Sequence, residues 1–138
     1  MRPLYKNEIL FNRTNSKELV GKTAVYRQNE PMVFAGYLVK LIVNDRANPE
    51  YIGAYLNSKH GKAFLLNKAK SIVGMANINA EELKRIKISI PPLELQNVFA
   101  ERVQKIEAQK EAMKASLGEL EDNFNSLMQR VFKGELVL

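Results

Sequence analysis

Pro92-Leu93-Glu94-Leu95-Gln96-Asn97-Val98-Phe99 opens the stretch, running on to Lys133, whose reading decides how this chain is built. From Phe99 onward, apolar residues recur at heptad spacing. Phe99, Ile106, Met113, Leu120 and Leu127 take one seam position; Val103, Lys110, Leu117, Phe124 and Val131 take the other. Nine of these ten are apolar, which gives the 3.5-residue period of a coiled-coil helix, weakened locally by Lys110 and Gly118. At 1.5 Å per residue, a helix from Pro92 to Lys133 is a rod of roughly 60 Å, too long to fold back over a small domain. No other segment is long enough to pair with it, so the seam calls for a helix from a second copy or from another subunit.

Upstream of the rod, Ile86-Lys87-Ile88-Ser89-Ile90 alternates with period two, which predicts a half-buried strand stopped by Pro91. Before it, Asn79 and Glu82 make a capping-box pattern, with Ile78 placed to staple onto Leu83, so a short helix starts there. Asn48-Pro49-Glu50 is a second helix start, followed by Ile52, Tyr55 and Leu56 at helical spacing. Gly61 is expected to bend or end that helix, with helical character continuing to Ala69. Ile9-Leu10-Phe11, Thr23-Ala24-Val25-Tyr26 and the run Tyr37–Val43, interrupted only by Lys40, read as strands. Asn12 to Lys17 reads as an exposed loop, because its Asn, Ser and Thr side chains favour local bonds to the backbone.

The composition narrows the chemistry. At 138 residues and 46% hydrophobic, the chain can bury one ordinary core. It has no cysteine, which removes disulfides, thiolate catalysis and cysteine zinc sites and fits a reducing compartment. No apolar run reaches signal-peptide or membrane-span length, so a soluble, cytoplasmic protein without membrane contact is expected. Charge is unevenly spread: Met1–Pro91 carries 15 Lys/Arg against 7 Asp/Glu, and the remainder 6 against 8. A basic head on a mildly acidic stalk suits a polyanion-binding module, since phosphate contacts release counterions.

Enzymatic readings fail on their motifs. Gly21-Lys22-Thr23 looks like the end of a phosphate-binding loop, but Ser16 stands where that loop needs its first glycine. There is no glycine fingerprint for a cofactor and no acidic cluster of a metal-dependent nuclease, so neither catalytic nor metal-binding residues are expected. His60 is the single histidine and is expected at an exposed helix end. The candidate functional residues are basic and amide side chains. Arg13 and Asn15 are the expected base readers, because Arg pairs bidentately with guanine and Asn with adenine. Lys17, Lys22 and Arg27 are expected phosphate contacts, and Lys68 and Lys70, with Ser71, form a second basic stretch that could act as a flexible arm against the DNA backbone.

Several stretches together resemble the specificity subunit of type I restriction-modification enzymes. They are Ile9-Leu10-Phe11-Asn12-Arg13-Thr14-Asn15-Ser16, Glu18-Leu19-Val20-Gly21-Lys22-Thr23-Ala24 and Phe34-Ala35-Gly36-Tyr37-Leu38. The second half adds Tyr55-Leu56-Asn57-Ser58 with Gly61, Asn77-Ile78-Asn79, Leu83, and Ile88-Ser89-Ile90-Pro91-Pro92-Leu93-Glu94-Leu95-Gln96. The resemblance implies an α+β fold: residues 1–91 a small mixed α/β target-recognition domain in partial form, 92–134 a long spacer helix, and 135–138 a tail. Family members carry two recognition domains and two spacer helices packed antiparallel, so this single set looks like a C-terminal portion, a half-subunit gene product or a truncated form. A half is expected to dimerise through its helix.

The resemblance further implies a non-catalytic partner of double-stranded DNA, with each recognition domain reading half of a bipartite target. Methylation and cleavage belong to separate modification and restriction subunits, which would hold S-adenosylmethionine, ATP and Mg; no cofactor is expected on this chain. Two alternatives stand beside it: the recognition tail of a single-chain restriction-modification enzyme, and a coiled-coil interaction module whose basic head binds protein or RNA.

Overall fold

The computed structural model describes residues 3–16, 19–68, 70–72 and 75–135, with backbone only at 68, 70–72, 75 and 76. Among these described residues, six strands and four helices follow in the order β1 (Ile9–Asn12), β2 (Thr14–Asn15), β3 (Thr23–Val25), β4 (Leu38–Leu41), α1 (Pro49–Asn57), α2 (Lys59–Lys68), β5 (Lys70–Ile72), β6 (Met75–Asn77), α3 (Ala80–Lys84) and α4 (Leu93–Phe132). The fold class is α+β, as expected. The chain divides into two compact units, Met1–Ala100 and Glu101–Leu138.

The first unit is built on an antiparallel sheet of order β3-β1-β4, with Ile9 opposite Val25 and Leu41, and Phe11 opposite Thr23 and Val39. Period two puts Ile9 and Phe11 on one face, and both are fully buried. They join Val20, Ile52, Leu56, Leu65, Ile78 and Leu83 in one core. Lys40, the break in the apolar run of β4, is satisfied by Glu8 Oε1 at 2.9 Å and the Pro3 carbonyl at 3.0 Å.

The helix starts follow the local chemistry. Asn48 caps α1 by accepting the Glu50 N–H at 2.9 Å, with Pro49 in the first turn. Asn79 and Glu82 form the expected reciprocal capping box on α3, and Ile78 and Leu83 are both buried in the core. Gly53 lets α1 approach β3 closely, since a Cβ there would stand 3.0 Å from Val25 Cγ2.

Four expectations are corrected. The segment after β1 is not a loop: Thr14–Asn15 pairs with β6, and β6 pairs with β5, giving a second sheet of order β2-β6-β5. The stretch beginning at Lys70 is therefore a strand and not a flexible arm. The helix break falls at Ser58, whose Oγ accepts the Gly61 N–H at 3.0 Å, while Gly61 itself lies inside α2. Ile86–Ile90 forms no strand. Ile86 and Ile88 pack on the core as the alternation requires, but the Ser89 carbonyl accepts from the Tyr51 hydroxyl at 3.0 Å and the Pro91 carbonyl from Gln96 Nε2 at 2.8 Å.

The first two turns of α4 belong to the first unit. Gln96 and Ala100 are its buried residues, and the Phe99 ring packs edge-on against Tyr51 with centroids 5.9 Å apart. In the second unit the seam faces solvent: Met113 is 70% exposed, Leu120 63% and Phe124 61%, with Ile106, Leu117, Leu127 and Val131 exposed as well. No helix among the described residues is long and apolar enough to cross a membrane.

Candidate nucleic-acid interface

The two sheets meet at one backbone position, Arg13. Its N–H donates to the Tyr37 carbonyl at 3.3 Å and its carbonyl accepts the Ile78 N–H at 2.9 Å. The residue is half-buried, its Nε is buried, and neither that nitrogen nor the buried Asn12 Oδ1 has a hydrogen-bond partner. A buried donor and acceptor left open are unusual, because each forfeits the hydrogen bonds it would make to water.

Of the residues expected to touch DNA, Arg13, Asn15, Lys22 and Lys70 have their backbone at or beside this junction. Asn15 lies in β2 opposite Ala76, its Oδ1 accepting the Ser16 N–H at 2.8 Å. Lys70 sits opposite Asn77 on the same sheet, and Asn77 is opposite Thr14, whose hydroxyl donates to Asn77 Oδ1 at 3.2 Å. Pairing thus brings a residue of the first basic stretch and one of the second onto one three-stranded sheet. Lys22 is exposed beside them, since its carbonyl accepts the Asn12 N–H at 2.9 Å. Gly21 makes that turn with φ +78°, a conformation glycine adopts without a Cβ clash.

Arg27 is placed differently. Its Nε and Nη2 grip the two carboxylate oxygens of Glu50 at 2.6 and 2.8 Å, a bidentate pair that holds the start of α1 against the end of β3. Lys17 lies outside the described residues, as do the side chains of Lys68 and Lys70. His60 is exposed near the start of α2, with the Tyr55 ring 5.9 Å away.

Sequence reasoning passed over two groups. Arg85 and Lys87 are exposed and, with Phe64 and Glu82, line a cavity of about 420 Å³. The run Lys84-Arg85-Ile86-Lys87 was the signal that could have found them. Asn57 and Gln96 were also passed over as positioning residues. Asn57 mimics a strand neighbour, accepting the Thr23 N–H at 3.0 Å and donating to the Thr23 carbonyl at 2.7 Å.

Residues 3–122 match the family model described as the type I restriction modification DNA specificity domain. The chain belongs to that family. It is 25% identical over 140 residues to the type I restriction enzyme EcoKI specificity subunit of Escherichia coli (strain K12), an alignment covering 96% of this chain and 30% of that protein. It is 33% identical over 95 residues to the putative type I restriction enzyme MjaX specificity subunit of Methanocaldococcus jannaschii, covering 67% of this chain and 22% of that protein. The chain therefore spans less than a third of either relative's length. Among the described residues of this specificity-domain chain, no group of three His, Asp or Glu side chains comes together as a metal site would require.

Proposed function

We propose that this chain reads one half of a bipartite target in double-stranded DNA and directs the modification and restriction subunits of a type I system to it. Supporting this reading, above all, is a match to a DNA specificity domain on a chain whose excess of positive charge lies entirely in its head, 15 Lys/Arg against 7 Asp/Glu. Lys22 supplies phosphate attraction, and Arg13 and Asn15, held on rigid backbone at the sheet junction, read base edges. Arg13 is the leading reader because a guanidinium can pair bidentately with guanine and its backbone is tied at the junction by bonds to Tyr37 and Ile78. The chain is a non-catalytic component of the cytoplasm. Methyl transfer and cleavage, with S-adenosylmethionine, ATP and Mg, belong to the partner subunits.

In this reading the exposed seam of α4 is a pairing element, filled by a second copy when the chain is expressed alone. The experiment is a binding isotherm to duplex DNA over a salt series. A linear fall of log affinity with log salt, stronger for duplex DNA than for RNA of equal length, is the expected result. Equal or tighter RNA binding, or no dependence on salt, would favour an interaction module with a basic head instead.

A further inference from the structure

The seam residues alone do not say how a second helix lies on α4, but the charges beside them do. This inference rests on the pairing role just proposed for the helix. In an antiparallel pair the two seam series face each other, and each flank of one helix meets the same flank of its partner. Two self-pairings need comparison. The one that uses the whole seam, from Phe99 to Val131, sets Met113 against the partner's Leu117. It also sets Arg102 beside the partner's Arg130, Glu107 beside the partner's Glu121, and Lys114 beside the partner's Lys114. All three are like-charge contacts, and it requires Phe99, whose ring is already packed on Tyr51.

Sliding one heptad toward the C-terminus removes every one of these conflicts. We propose that a second copy of this chain docks antiparallel on the Ile106–Val131 face of α4, in the register that sets Ile106 against the partner's Val131. Lys110 then faces the partner's Leu127, Met113 the partner's Phe124, and Leu117 the partner's Leu120. The set contains every exposed seam residue of the second unit and leaves Phe99 to the head. On the flanks, Lys114 meets the partner's Glu121 twice by symmetry, Glu107 meets the partner's Met128, and Gln109 meets the partner's Arg130. No like charges oppose. Lys110 remains paired with Glu107 on its own helix at 2.8 Å, and its stem lies along the partner's Leu127. Sliding the other way also pairs opposite charges, Glu107 with the partner's Lys114, but again needs Phe99 and strands Leu127 and Val131. A parallel pair sets Lys110 against the partner's Lys110 inside the seam.

The chain has no cysteine, so introduced thiols report the register directly. Chains of residues 1–138 carrying Ile106→Cys and Val131→Cys are mixed and oxidised, beside Ile106→Cys with Phe124→Cys, and Ile106→Cys alone. The first mixture is expected to give the crosslinked dimer. A dominant band in the second or third overturns the register while leaving self-pairing intact, as does a dimer by light scattering that crosslinks in none. A monomer at high concentration overturns both the register and the pairing role. An independent arm uses Glu121→Lys, an exposed change for which circular dichroism checks that the helix is kept. It is expected to weaken dimerisation about five-fold, two surface ion pairs' worth, and Lys114→Glu with Glu121→Lys to restore it. Stronger association of Glu121→Lys, as the whole-seam register requires, would overturn the proposal.

Discussion

Gln96 Oε1 accepts the backbone N–H of Asn48 at 2.8 Å, so the first turn of the long helix holds the residue that caps α1. The same side chain donates through Nε2 to the carbonyls of Arg46, at 3.1 Å, and Pro91, at 2.8 Å, and it is fully buried. Replacing it with Leu keeps the bulk but strands one N–H and two carbonyls. Gln96→Leu is expected to lower unfolding free energy by roughly 2–4 kcal/mol in urea titration.

Arg27 and Glu50 form a pair of unequal exposure, with 47% of the arginine side chain accessible against 9% of the glutamate. Arg27→Ala leaves a nearly buried carboxylate without its fork. Discounted for the exposed partner, the expected loss is about 1–2 kcal/mol. Adding Glu50→Gln should return part of it, and thermal unfolding of the three variants reads the coupling.

Gly21→Ala meets two obstacles at once: φ of +78°, and Leu65 Cδ1 at 2.8 Å from the new Cβ. A loss of roughly 1–3 kcal/mol is expected in chemical denaturation. The turn between Asn12 and Lys22 would carry the damage.

The DNA contacts separate by type. Lys22→Ala should weaken binding evenly across sequences and reduce the salt slope by about one. Arg13→Ala should relax discrimination at one base position, worth about 1–3 kcal/mol, with the salt dependence of binding as its control.

The elements legible in the sequence are those set by neighbours along the chain. β1 and β3 depend on runs of apolar and β-branched residues, and both helix caps on a side chain that accepts a backbone N–H two or three residues on. The second sheet was not legible, because β2 is two residues long and gains its strand character only from β6, some sixty positions away. Ile86–Ile90 shows the converse: the alternation is real and buries Ile86 and Ile88, yet a strand also needs a partner edge, and here side chains take the carbonyls instead. The candidate site was read with similar limits. Arg13, Asn15, Lys22 and Lys70 lie on backbone segments that meet near one junction, through pairings that no local pattern announces. Arg27 looked like one more surface cation, since the carboxylate that holds it comes 23 residues later. Gln96, a polar residue in an exposed-looking helix start, gave no sign that it would be buried.

The central claim is that the basic head reads sequence. Its most direct test is enrichment from randomised duplex DNA by the chain together with its modification subunit, repeated with Arg13→Ala. Recovery of one gapped sequence, with a single base position relaxed by the substitution, is the predicted result; recovery of unselected sequence by both proteins would contradict it.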